Sequence, residues 1–136
     1  MIYNLCQYIE DEMPAEIVFK NHRVKIGAAR SVPDRNILVR ESPGGIRPAW
    51  AGNILQPIQV ITRDKDAPKA RALAYDVYNL LNDRIGLILP ATTVDGVIYP
   101  AFQTAQISST NVPYPIGPDA NGRFEFSINL NLIYGR

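Results

Sequence analysis

Phe124-Glu125-Phe126-Ser127-Ile128-Asn129-Leu130-Asn131-Leu132-Ile133-Tyr134 is the stretch that decides the fold. Large apolar side chains recur at every second position from Phe124 to Tyr134, with Glu125, Ser127, Asn129 and Asn131 between them. A strand turns successive side chains to opposite faces, so this spacing predicts a long, half-buried β-strand. The run from about Val97 to Ile107 is its expected partner in a long C-terminal β-hairpin, the second strand starting near Arg123. Ser108 to Gly122 then forms the connection and carries Pro113, Pro115 and Pro118. Connections of that length in a small domain usually have a function. Asn121-Gly122 at its end is a tight-turn signal.

Working back from the hairpin, Ala70, Leu73, Ala74, Val77, Leu80 and Leu81 recur at helical spacing and predict a helix with one buried stripe. Asp66 is its expected N-cap, with the carboxylate accepting a free backbone N–H. Pro68 fits the first turn, where a missing N–H costs nothing. Gly86 follows the end. Residues 54–63 read as a central strand with Ile54, Ile58, Val60 and Thr62 on one face. Ile37-Leu38-Val39, within 36–40, is a further strand. Ile17-Val18-Phe19 and Val24-Lys25-Ile26 are short β-like runs around a turn at Asn21-His22. Residues 27–35 and 42–52 read as loops. Residues 1–13 predict an amphipathic helix with Ile2, Leu5, Cys6, Ile9 and Met13 on one face, ended by Pro14. The whole is expected to be one α+β domain over 1–136: a mainly antiparallel sheet flanked by two α-helices, with the long hairpin at the C-terminus.

Composition narrows the function. The chain has 136 residues, 46% hydrophobic and 20% charged, which is ordinary globular usage. Fourteen Lys and Arg against 13 Asp and Glu give +1, unlike the strong basic excess of a dedicated nucleic-acid binder. No apolar run approaches the ~20 residues of a membrane span. The opening residues lack the charged and apolar regions of a signal peptide. Cys6 is the one cysteine and His22 the one histidine, so an internal disulfide and a zinc site of Cys and His ligands are both excluded.

Few groups remain for chemistry. His22 reads either as a general base or as an ordinary turn residue, with no nucleophile beside it. Asp64 and Asp66 read either as a cation-binding pair or as helix-end residues, with no further oxygen ligands nearby. Pro43-Gly44-Gly45 lacks the remainder of a phosphate loop. Charge is distributed unevenly. Residues 1–19 hold four acids and no Lys or Arg, while residues 20–47 hold seven bases against Asp34 and Glu41. That basic zone either faces a polyanion or an acidic partner, or is a solvated face. Glu10, Asp11 and Glu12 stand at a helix C-terminus, where the macrodipole disfavours acids, so a basic partner is expected for them, within the chain or on a neighbour. Trp50 is either an interface anchor or an outlying core residue.

Arg63-Asp64-Lys65-Asp66-Ala67-Pro68-Lys69-Ala70-Arg71, leading to Tyr78-Asn79-Leu80-Leu81-Asn82, is one recognisable idiom. Pro113-Tyr114-Pro115-Ile116-Gly117, Asp119 and Gly122-Arg123-Phe124-Glu125-Phe126-Ser127-Ile128-Asn129-Leu130 form another. Together they resemble the tail terminator and minor capsid (neck) proteins of long-tailed bacteriophages, over about residues 54–136 and more loosely the opening helix. The resemblance implies a structural virion protein at the tail–neck junction, made in the host bacterial cytoplasm. It implies a homo-oligomeric ring, typically of six subunits, that caps the tail tube, ends its growth and meets the head-side connector. DNA would pass through the channel without sequence recognition, and neither catalysis nor a cofactor is implied.

On this reading, Glu10, Asp11, Glu12, Tyr114, Pro115 and Asp119 are candidates for the subunit interface. Arg30, Arg35 and Arg47 are candidates for the channel or the neck-facing surface. A head–tail connector or stopper is the alternative station in the same machine. A small hydrolase using His22 with Asp64 and Asp66, and a monomeric binding module, are the readings from other classes.

Overall fold

The computed structural model describes residues 2–14, 34–42, 52–120 and 122–135. The expected strands at 17–19 and 24–26 lie outside them. In chain order the elements are α1 (Ile2–Glu12), β1 (Asn36–Glu41), β2 (Asn53–Asp64), α2 (Ala67–Leu81), β3 (Arg84–Ile85), β4 (Ile88–Leu89), β5 (Thr92–Val94), β6 (Val97–Tyr99), β7 (Phe102–Gln103), β8 (Gln106–Ser109), β9 (Tyr114–Pro118) and β10 (Phe124–Gly135).

The period-2 stretch is β10, and it organises the sheet. The strand order is β1-β2-β10-β8-β3, and β9 also pairs with β10. On one side β10 lies against β2 in unbroken antiparallel register, from Phe124 opposite Asp64 to Gly135 opposite Asn53. Its other side is shared: β8 takes Leu130 to Ile133 and β9 takes Phe124 to Ser127. All pairings among the described residues are antiparallel. The expected α+β architecture with two helices is thus present.

Register assigns the two faces. Ile37 and Val39 of β1, Ile58, Val60 and Thr62 of β2, and Phe126, Ile128 and Leu130 of β10 stand side by side. Helix α2 crosses this face, with Ala70, Leu73, Ala74, Val77 and Leu81 buried. Leu80, expected in the same stripe, is only partly buried. Each fully buried Val or Leu contributes about 1.5–3 kcal/mol, so this stripe holds the helix on the sheet. Thr62 Oγ1 donates to Ala70 O at 3.1 Å, which joins strand and helix by a buried polar contact. Helix α1 packs against β1, β4 and β5, with Ile2, Leu5, Cys6 and Ile9 in the same core cluster. Asn4 is buried in that contact and its amide donates to Pro90 O (3.0 Å) and Pro100 O (2.9 Å).

Two local expectations are corrected. Asp66 occupies the N-cap position with extended backbone, but its carboxylate makes no capping bond. Asp64 Oδ1 instead accepts the Asp66 N–H at 2.9 Å, an i to i+2 turn that closes the end of β2. Residues 97–107 are not one strand. Asp95 (φ 52) and Gly96 (φ 81) are both left-handed, which closes a two-residue hairpin between β5 and β6. After it, Pro100 lacks the N–H that a continuing ladder needs. Only β8 reaches β10, and the expected long connection contains β9, so the terminal hairpin is β9–β10.

Candidate functional site

The face of the sheet away from α2 carries a chain of polar contacts. Arg40 Nε donates to Gln59 Oε1 (2.6 Å), and Gln59 Nε2 donates to Ser127 Oγ (2.8 Å), which spans β1, β2 and β10. One pleat further along is a charged cluster. Arg63 Nη1 donates to Asn36 Oδ1 (3.0 Å), and Arg63 Nε pairs with Glu125 Oε2 at 2.5 Å. Asp119 Oδ2 lies 3.9 Å from the same Nε and accepts from Arg123 Nε at 2.7 Å. Both arginine side chains are 3% exposed, so each guanidinium depends on these acids for what water no longer supplies.

The cluster fixes the β9–β10 hairpin. Asp119 Oδ1 accepts the Arg123 N–H (2.9 Å), and the Asp119 N–H donates to Arg123 O (2.7 Å), closing the turn on both sides. Gly122 follows with φ +78, a conformation that favours glycine. Between Glu125 and Phe126 the register slips and Ile116 bulges out of β9. Gly117 at φ +97 makes the slip possible without strain. Pro115 and Pro118 face solvent on this edge strand, where the missing donors prevent further strand pairing. Tyr114 points to the polar side, and Asn129 Nδ2 donates to its hydroxyl at 2.9 Å. Hydrogen bonds with Asn129 and Ser127 hold that phenol below its ordinary value, against a smaller upward push from burial.

The remaining sequence candidates fall as follows. Asp11 and Glu12 are exposed at the end of α1, and Glu10 is partly buried. Asp11 Oδ1 accepts from Gln7 Nε2 at 2.8 Å. Tyr8 is raised by burial and then by Glu12, against an opposing pull from Arg84, so the acidic end of α1 adjoins the start of β3. Of the hairpin candidates, Asp119 is directed into its own hairpin, whereas Pro115 is exposed. Arg35 donates to Asp64 Oδ2 at 3.1 Å and is one-third exposed. His22, Arg30, Arg47 and Trp50 lie outside the described residues, as does Asn121.

The arrangement offers contact surfaces more readily than chemistry. Asp64 is committed to Arg35 and to the Asp66 amide. No group of three His, Cys, Asp or Glu that would hold a metal occurs among the described residues. No helix there is long and apolar enough to cross a membrane. Arg63, Glu125 and Arg123 were not singled out as a unit by sequence reading, although the alternation in β10 already places Glu125 on the polar face.

Comparison with known proteins supplies the identity in two stages. The chain falls in the class of bacteriophage structural proteins that build the virion tail. Within it, the family described as bacteriophage tail terminator protein matches residues 4–136, and the chain belongs to that family. The match covers the stretch of the resemblance, about 54–136 and more loosely the opening helix, and takes in the basic zone between them. No curated protein matches the chain.

Proposed function

We propose that this chain caps the tail tube as a ring of identical subunits, six in number, and acts as one domain over 1–136. The ring ends tube polymerisation, presents its other side to the head-side connector and leaves a channel for DNA. Membership of the tail terminator family over 4–136 carries this reading. The structure supports it with a hairpin held rigid from behind by the Arg63–Glu125–Asp119–Arg123 cluster, which lowers the entropy lost when its exposed prolines dock on a partner.

Glu10, Asp11 and Glu12 approach basic residues of the neighbouring subunit, and Tyr114 and Pro115 belong to the hairpin contact, with Asp119 setting its pose. Charge there selects the register more than it adds affinity. Arg30, Arg35 and Arg47 face the channel or the connector. Near-neutral total charge suits passage, because many phosphate contacts would retain DNA in a salt-dependent way. No catalytic step and no cofactor enter this role.

Electron microscopy of tail tubes assembled with and without the protein tests the reading. One terminal ring per tube, with tubes of uniform length, is the expected result. Binding only to the connector would assign the chain to the stopper position instead. Charge reversal of Glu10, Asp11 and Glu12 is expected to weaken ring assembly at low salt, and unchanged assembly would remove those residues from the interface.

A further inference from the structure

Seven large hydrophobic residues stand exposed among the described residues, and they fall into two groups. Ile85 (82%), Ile88, Val97 and Ile98 (75%) occupy the β3–β6 segment. Ile116 (42%) and Phe124 occupy the β9–β10 hairpin, beside the exposed Pro115 and Pro118, and Val112 lies just before β9. Single exposed aliphatics need no explanation, but grouped ones mark contact surfaces.

Ile85 and the hairpin residues lie at opposite ends of the sheet. Phe124 and Ile133 are nine positions apart on β10, about 30 Å of strand. Ile85 sits two strands out from Ile133, through Gln106, about 10 Å further. One copy therefore cannot bring its own Ile85 and hairpin residues together.

Their surroundings differ in sign. Asp83 and Arg84 precede Ile85, Asp95 precedes the β6 valine in its turn, and Glu12 acts on Tyr8 together with Arg84. That is three acids against one base. At the hairpin end, Phe124 lies opposite Asp64, and next along the chain come Lys65, Asp66, Lys69 and Arg71 at the start of α2. With Arg35, which pairs with Asp64 at 3.1 Å, and Asp34, which pairs with Lys65 at 3.4 Å, that is four bases against three acids, plus the positive end of the helix dipole.

We infer that the two groups are the halves of one contact between copies of this chain: the hairpin of one copy seats Ile116 and Phe124 on the Ile85, Ile88 and Ile98 surface of the next. Two different patches meeting head to tail make a heterologous interface, which closes into a ring when the rotation permits. Opposite charge around apolar centres fixes which end meets which. The inference rests on the self-assembly proposed above and names the surfaces that carry it.

Cysteine placement tests it, because the native Cys6 is buried. Ile98→Cys, Ile116→Cys and the double variant are treated with a short bis-maleimide, both as concentrated protein and on tails assembled with each variant. Single-maleimide labelling beforehand confirms that the new thiols react. The double variant is expected to give a ladder of dimers, trimers and larger species, and neither single variant is expected to cross-link. A ring visible by microscopy without a ladder overturns this pairing and leaves the ring standing. Dimers from either single variant overturn it in favour of a like-with-like contact. Protein that stays monomeric in solution and absent from tails overturns the ring itself, and this inference with it.

Discussion

Replacing Glu125 with alanine tests whether buried charge holds the hairpin in place. The Arg63 side chain is 3% exposed and Glu125 is 15% exposed, with 2.5 Å between them. Without the carboxylate, Arg63 keeps Asn36 Oδ1 at 3.0 Å and Asp119 Oδ2 at 3.9 Å. Breaking one side of a buried ion pair costs about 3–5 kcal/mol. The two surviving acceptors place Glu125→Ala at the low end, about 3 kcal/mol. With a urea dependence of about 2 kcal/mol/M, the unfolding midpoint falls by about 1.5 M. Circular dichroism in a urea series measures it.

The double variant Arg63→Met with Glu125→Leu removes both charges and leaves Asp119 with Arg123. An apolar pair of similar volume often equals a buried ion pair, so the double variant is expected to regain most of the loss. A midpoint fall below about 0.3 M for the single variant, about 0.6 kcal/mol at that slope, refutes the argument. So does a double variant no more stable than the single one.

Asp64 makes an acid limb. Burial pushes its carboxyl up, but the Asp66 amide and the Arg35 guanidinium outweigh this and hold it below its ordinary 3.8. A depressed native value means the stabilisation is complete above the unfolded value and disappears as pH falls through the native one. Thermal melts from about pH 6 to about pH 3 should therefore show a steeper decline for the native chain than for Asp64→Asn. Thr62→Val removes the buried bond to Ala70 O and should cost about 1 kcal/mol, read as a melting point about 4 °C lower. An added Cβ at Gly96 meets nothing within 4 Å, so Gly96→Ala should cost only the left-handed backbone, about 1–2 kcal/mol by urea melt.

The parts of the fold that were legible in the sequence are those where one periodicity dominates. Alternation over Phe124–Tyr134 marks β10 because one face is buried under α2 and the other is not. The stripe from Ala70 to Leu81 marks α2 for the same reason at helical spacing. The 97–107 region was misread because its hydrophobic content exceeds its regularity: Val97-Ile98 and Phe102 belong to different pairings. The signal that separates them is Asp95-Gly96, whose two left-handed residues demand a hairpin upstream of the one expected.

β9 was hidden by its prolines, which argue against a strand except on an edge, and an edge is where it lies. Asp66 occupies the cap position that its sequence indicated, yet a neighbouring carboxylate two residues earlier takes up the amide hydrogen. The charged cluster needs contacts among residues 36, 63, 119, 123 and 125, and no local pattern announces partners so far apart. Family membership was legible from idioms at both ends of α2 and at the entry to β10, since those stretches join unusual turns to regular elements.

The long register between β2 and β10 has a mechanical consequence. A load applied at the hairpin tip and resisted at the far end of β2 pulls the two strands past one another rather than apart. Their rungs, from Phe124–Asp64 to Gly135–Asn53, then bear the force together, and none can be unzipped before the rest. With β8 and β9 bracing the opposite side of the same strand, β10 acts as the tension member of the fold.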